Sequence, residues 1–208
     1  MLRSLSNRTV LVIGCLTVAP GCGLGGPGRV AAPSVSPAAA AAAAVAACDA
    51  NGDGRLEEAE LAHTPSLRSV AARWDADGDK ALSQAEITAR FSQLFSTGVG
   101  LLDVSCTITR NGRPVPDCEV RFVPEDFLGA AFKPATGTTG PNGAAMMAVA
   151  VADRPADQQD LKMMQVGLYR VEVAGPGISQ PAKPLGVVID PTDGSGTNPT
   201  LDLASDGR

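Results

Sequence analysis

Aromatic side chains make up only 3% of this 208-residue chain: one Trp, one Tyr and five Phe. Its cores must therefore be small and built mostly from Val, Leu, Ile and Ala, because aromatic rings carry the largest buried areas. Histidine is scarcer, with His63 the single one. A Ser/His/Asp or Cys/His nucleophilic site has only that residue to use, and a lone His on a short surface helix is ordinarily solvated. Zinc-ligand spacing and a phosphate-cradling glycine loop are missing too. The chain reads as a non-enzyme. There is no long basic run, and the net charge is −5. Phosphate neutralisation needs clustered Lys and Arg, so nucleic acid is not an expected partner.

Gly (23) and Pro (16) are plentiful, favouring loops and short strands over long helices. Much of the acidic excess is packed into two short stretches, which points to a cation. At the N-terminus, Arg3 and Arg8 precede a mostly apolar stretch, Thr9 to Val18. That stretch suits the core of an export signal and is too short for a permanent membrane span. The small residues before Cys22, Ala19-Pro20-Gly21, resemble the lipobox of bacterial lipoproteins. The resemblance implies lipidation at Cys22 and a membrane tether; ordinary signal-peptidase cleavage is the other reading. The expected organisation is a signal peptide over 1–21, a Gly/Pro/Ser/Ala spacer over 22–36, a helical module over 37–96, a short linker over 97–101 and a β-domain over 102–205.

The run Ala38 to Ala47 follows Pro37 and Ser36. Ala is the best helix former, Ser caps, and Pro suits the first helical position, so a helix is expected. A low-complexity linker is the alternative. A short helix is expected over Glu58 to His63, and another with Thr64 as N-cap and Pro65 in its first turn, carrying Leu67, Val70, Ala71 and Trp74 on one face. The last carries Ile87, Phe91, Leu94 and Phe95, and Ser96-Thr97-Gly98 ends it.

Two segments between these helices repeat one pattern 26 residues apart, from Asp49 to Glu60 and from Asp75 to Glu86. Asp49, Asn51 and Asp53 set oxygens at positions 1, 3 and 5; Gly54 makes a sharp turn at position 6; Arg55 offers its backbone carbonyl at position 7, so its side chain is free to be anything. Leu56 should pair with its counterpart across a short β-bridge, and Glu60 closes the shell. In the second segment Asp75, Asp77, Asp79 and Glu86 are the carboxylates, Ala81 the carbonyl and Leu82 the bridge. Lys80 stands where Gly is expected, and a left-handed backbone there costs about 1 kcal/mol. Cys48 and Trp74 occupy the apolar place before each loop.

These loops are similar to those of EF-hand proteins over roughly residues 38–96, in the compact pairing of bacterial secreted proteins. The resemblance implies Ca²⁺ held by Asp49, Asn51, Asp53, Arg55, Glu60, Asp75, Asp77, Asp79, Ala81 and Glu86. It also implies affinities of about 10⁻⁴ to 10⁻³ M, as in extracellular modules.

From about Leu101 the hydrophobic period falls from 3.6 towards 2. Val104, Cys106 and Ile108 alternate with polar residues, Asn111-Gly112 is a hairpin signal, and Cys118, Val120 and Phe122 alternate on the expected returning strand. Further strands are expected at Ala145 to Val151, Leu168 to Val173, Leu185 to Ile189 and Thr200 to Leu203. Cys106 and Cys118 then share a face of neighbouring strands, as a disulfide or as two buried thiols. Met146-Met147 and Met163-Met164 read as β-core or loop residues rather than copper ligands.

The segment Val104 to Pro124, Gly140-Pro-Asn-Gly143 and Gly167-Leu-Tyr-Arg-Val-Glu-Val173 are similar to carboxypeptidase regulatory-like domains. That implies a transthyretin-like sandwich of about seven strands and assigns no chemistry. The overall expectation is a multidomain chain, an all-α EF-hand pair plus an all-β sandwich. It is expected to bind Ca²⁺ outside the cytoplasm, in the cell envelope, with a lipid anchor. An envelope protein or polysaccharide as partner, with structural calcium, is the alternative.

Overall fold

The structure, a computed structural model, describes residues 33–178, 184–193 and 196–203. The expected signal peptide, Cys22 and most of the spacer lie outside the described residues. The architecture is a large curled sheet, antiparallel but for one strand pair, with four helices. None of these helices is long and apolar enough to cross a membrane.

The helices come first. α1 (Pro37–Cys48) starts as the sequence predicts, with the Ser36 hydroxyl accepting from the Ala39 amide at 3.3 Å and Pro37 in the first turn. α2 (Glu58–Leu61) is short; α3 (Pro65–Trp74) and α4 (Gln84–Phe95) follow. Two-residue strands β1 (Arg55–Leu56) and β2 (Leu82–Ser83) pair antiparallel, Leu56 opposite Leu82. Both leucines are fully buried.

The sheet contains β3 (Val104–Arg110), β4 (Arg113–Pro114), β5 (Glu119–Pro124), β6 (Ala135–Thr138), β7 (Ala144–Val149), β8 (Gly167–Ala174), β9 (Leu185–Ile189) and β10 (Thr200–Asp202). Its order is β10-β3-β7-β6-β5-β8-β9, with β4 hairpinned on β3 and β10 parallel to β3. β7 joins the two parts of the sheet: residues 144–147 pair with β3, and 148–149 with β6. Alternation along the strands separates two apolar layers. Tyr169, Val171, Val187 and Ile189 face the sheet's own core with Val104, Cys106, Val120, Phe122 and Met147. Leu168 and Val188 face the opposite way and join the core of the helices.

The helices therefore share a core with the sheet. α3 lies on β9 so closely that a Cβ at Gly186 would stand 2.1 Å from the Pro65 carbonyl carbon. A row of rings joins α3 and α4 to the segment after β5. Trp74 meets Phe91 edge-on at 5.9 Å, Phe91 stacks on Phe127 at 6.2 Å, and Phe95 meets Phe132 at 5.8 Å. Five of the seven aromatics thus sit where helices meet sheet, leaving Phe122 and Tyr169 as the inner pair.

One strand pairing differs from the sequence expectation. The Asn111-Gly112 turn forms, both residues having positive φ, but its returning strand is only β4. The chain then crosses over, and β5 pairs with β6 and β8 instead of β3. Cys106 and Cys118 are consequently not on neighbouring strands, and both are free thiols. Cys106 Sγ contacts Met147 Sδ at 3.5 Å, while Cys118 Sγ donates to the Pro116 carbonyl at 3.2 Å.

Candidate metal centre

The two acidic segments fold into matching loops. In the first, Asp49 caps the turn: its Oδ1 accepts from the Gly52 amide at 2.6 Å and its Oδ2 from Gly54 at 2.8 Å. In the second, Asp75 accepts from Gly78 at 2.7 Å and from Lys80 at 2.9 Å. The residue at position 6 is left-handed in both, φ 83° at Gly54 and φ 70° at Lys80. The expectation for Lys80 is therefore met, its backbone adopting the geometry glycine adopts freely. Asn51 and Asp53 accept from amides two residues on, as do Asp77 and Asp79.

The closing glutamates swing back across their loops. Glu60 Oε1 accepts from Ala50 at 2.8 Å and its Oε2 from Glu57 at 3.1 Å. Glu86 accepts from Ala76 at 2.7 Å and from the Ser83 amide at 2.9 Å. Burial works against ionisation of Glu86, but donors from Ser83, Ala76 and Asp77 outweigh it and hold the carboxyl below its usual range. The stability it contributes is present above its unfolded pKa and is lost as pH falls through the folded value. Capping boxes at Glu57/Glu60 and Ser83/Glu86 start α2 and α4, so each closing carboxylate is anchored by the first turn of a helix.

Asp75, Asp77 and Glu86 each offer an oxygen within 4.8 Å of the others, the one such acidic group among the described residues. The donors are all oxygen, which suits a hard divalent cation such as Ca²⁺ and disfavours softer metals. The loops stand back to back through Leu56 and Leu82, with Arg55 and Ala81 immediately before these leucines. Cys48, expected to fill an apolar place, packs half-buried against the helical core, its Sγ 2.8 Å from Thr64 Oγ1. Burial pushes that thiol upward, outweighing the Thr64 hydrogen bond.

His63 is exposed beyond the end of α2. Met147 and Met164 are buried in the sheet core, as expected, and Met146 is exposed. Two side-chain relationships escape a reading of the sequence. The Arg55 guanidinium reaches across to Asp79 and lies 3.8 Å from Asp77. Ser66 and Glu125, both buried, are hydrogen-bonded between α3 and the end of β5. Nothing local marks either, since each joins residues distant in sequence. Comparison with protein-family models and with curated proteins finds no match for this chain.

Proposed function

We propose that this chain binds Ca²⁺ through two EF-hand loops. The observation that carries the reading is the duplicate geometry. Two twelve-residue loops present oxygens at the same positions, turn at the same left-handed residue, close with a helix-anchored Glu and meet through one leucine pair. Asp49, Asn51, Asp53, Glu60 and the Arg55 carbonyl would hold one ion. Asp75, Asp77, Asp79, Glu86 and the Ala81 carbonyl would hold the other. The ion supplies charge neutralisation and cross-linking of each loop, not chemistry on a substrate. The sheet is read as a carboxypeptidase regulatory-like sandwich, and the whole as an exported, lipid-anchored envelope protein.

Calorimetric titration of the full chain with Ca²⁺ tests this. Two ions are expected per chain, falling to one in Glu60→Gln and to one in Glu86→Gln. Each substitution should weaken its own loop by about 100-fold or more, since losing only a supporting partner costs 10–100-fold. Absence of heat, with a helical signal indifferent to chelator, would remove the proposal. The second reading is an interaction module for an envelope protein or polysaccharide; its structural calcium accords with helices that share a core with the sheet. Glycan and protein pull-downs with and without chelator separate the two.

A further inference from the structure

Arg55 belongs to the first loop, yet its side chain serves the second. The guanidinium pairs with Asp79 Oδ2, and its Nη2 is 3.8 Å from Asp77 Oδ2. The other Asp79 oxygen, Oδ1, accepts from the Ala81 amide at 2.9 Å. Both oxygens of this expected ligand are thus engaged. The mutually close acidic group is Asp75, Asp77 and Glu86, and Asp79 is not part of it. The bridge explains the reach: Arg55 stands opposite Ser83, so its side chain emerges beside the neighbouring loop.

We propose that Arg55 is a resident counter-cation of the second loop, lowering its metal affinity and relieving its carboxylate repulsion when metal is absent. This rests on the reading of the loops as Ca²⁺ sites. A charge-assisted Arg–carboxylate contact is among the stronger polar contacts a surface offers. A cation entering the second loop must draw Asp79 away from that contact and must lie near a fixed positive charge. Without metal the same charge holds Asp77 and Asp79 together, where two carboxylates alone would repel. One residue thereby touches both sites, by its backbone in the first loop and its guanidinium in the second.

The test uses full-length chains carrying Glu60→Gln to silence the first loop. Tb³⁺ is titrated while Trp74, the residue before Asp75, sensitises its emission, and Ca²⁺ then displaces it. Arg55→Gln should tighten Ca²⁺ binding by about three- to five-fold at low salt, the scale of an exposed ion pair. The gain should shrink as salt screens the charges, and Arg55→Lys should recover much of the wild-type affinity. In EDTA, Arg55→Gln should lower the Tm by about 1–2 °C. Unchanged or weaker binding in Arg55→Gln, or an unchanged Tm in EDTA, overturns the proposal alone. If the parent takes up neither Tb³⁺ nor Ca²⁺, the calcium reading falls with it.

Discussion

The Ser66 hydroxyl donates to Glu125 Oε1 across 2.6 Å, tying the first turn of α3 to the end of β5. Both residues are buried, and Arg170 approaches the other carboxylate oxygen at 3.8 Å. The Glu125 amide donates to the Leu168 carbonyl, continuing the β5–β8 pairing, so the backbone fixes the residue to the sheet while its side chain reaches the helix. A buried acid costs stability when charged unless its partners compensate.

Burial pushes the Glu125 carboxyl above the usual range, outweighing the Ser66 hydrogen bond and the Arg170 charge that pull it down. Its folded value lies above an unfolded value of about 4.3. The stabilisation tied to its proton is complete below that unfolded value and is lost as pH rises through the folded one. Glu125→Gln keeps an oxygen for Ser66 and has no such slope. Urea unfolding should show the stability of wild type relative to Glu125→Gln declining as pH rises above the unfolded carboxyl value of about 4.3. A difference that stays level as pH rises contradicts the assignment.

Gly186 is a contact glycine. An added Cβ meets the Pro65 carbonyl carbon and the Ser66 nitrogen, each at 2.1 Å, and backbone on both sides leaves little room to yield. Gly186→Ala should destabilise by about 3 kcal/mol or more, at the upper end for overpacking. Gly140→Ala is the control: its nearest atom would be 3.6 Å away, and a change within about 1 kcal/mol is expected. Equal Tm values for the two variants would show that α3 can lift from β9 without loss.

Lys80 holds a left-handed backbone at φ 70°. Lys80→Gly removes both that cost and a positive charge from the second loop. The metal-free protein should gain up to about 1 kcal/mol, and Ca²⁺ should bind the second loop more tightly. Thermal melts in EDTA and a calcium titration read the two effects separately. A loss of stability would mean that Lys80 makes a compensating interaction.

Cys106 and Cys118 are predicted to remain separate. Burial raises the Cys106 thiol to about 12, so almost none is thiolate at neutral pH. Alkylation of the native protein without reductant should leave both residues unmodified, and alkylation in guanidinium should modify both. A peptide map carrying a Cys106–Cys118 link would reverse this conclusion.

What could be read in advance was what is local in the chain. Ser36-Pro37 and the alanines form α1 because cap, first-turn proline and propensity agree within a few residues. The loops were legible for the same reason, since their donors are spaced by a turn that the loop alone determines. Thr64 shows the limit. Pro65 does open α3, but the Thr64 hydroxyl meets Cys48 instead of capping.

Non-local pairings stayed hidden. The alternation in Cys118, Val120 and Phe122 correctly marks a strand, but alternation carries no information on which strand lies beside it. β6, the short Ala-Thr-Gly-Thr run, offers little hydrophobic pattern to mark it as a strand. The scarcity of rings suggested aliphatic cores, which holds for most of the sheet interior; that the rings gather at the junction depends on tertiary packing.

The ring row has a practical bearing on dissection of this protein. A fragment ending near Gly98 would keep Phe91 and Phe95 while discarding Phe127 and Phe132, the faces they lean on. Uncovered, those rings invite self-association. Truncation there would yield a sticky, poorly soluble peptide, so the helices are best handled together with the strands that shelter them.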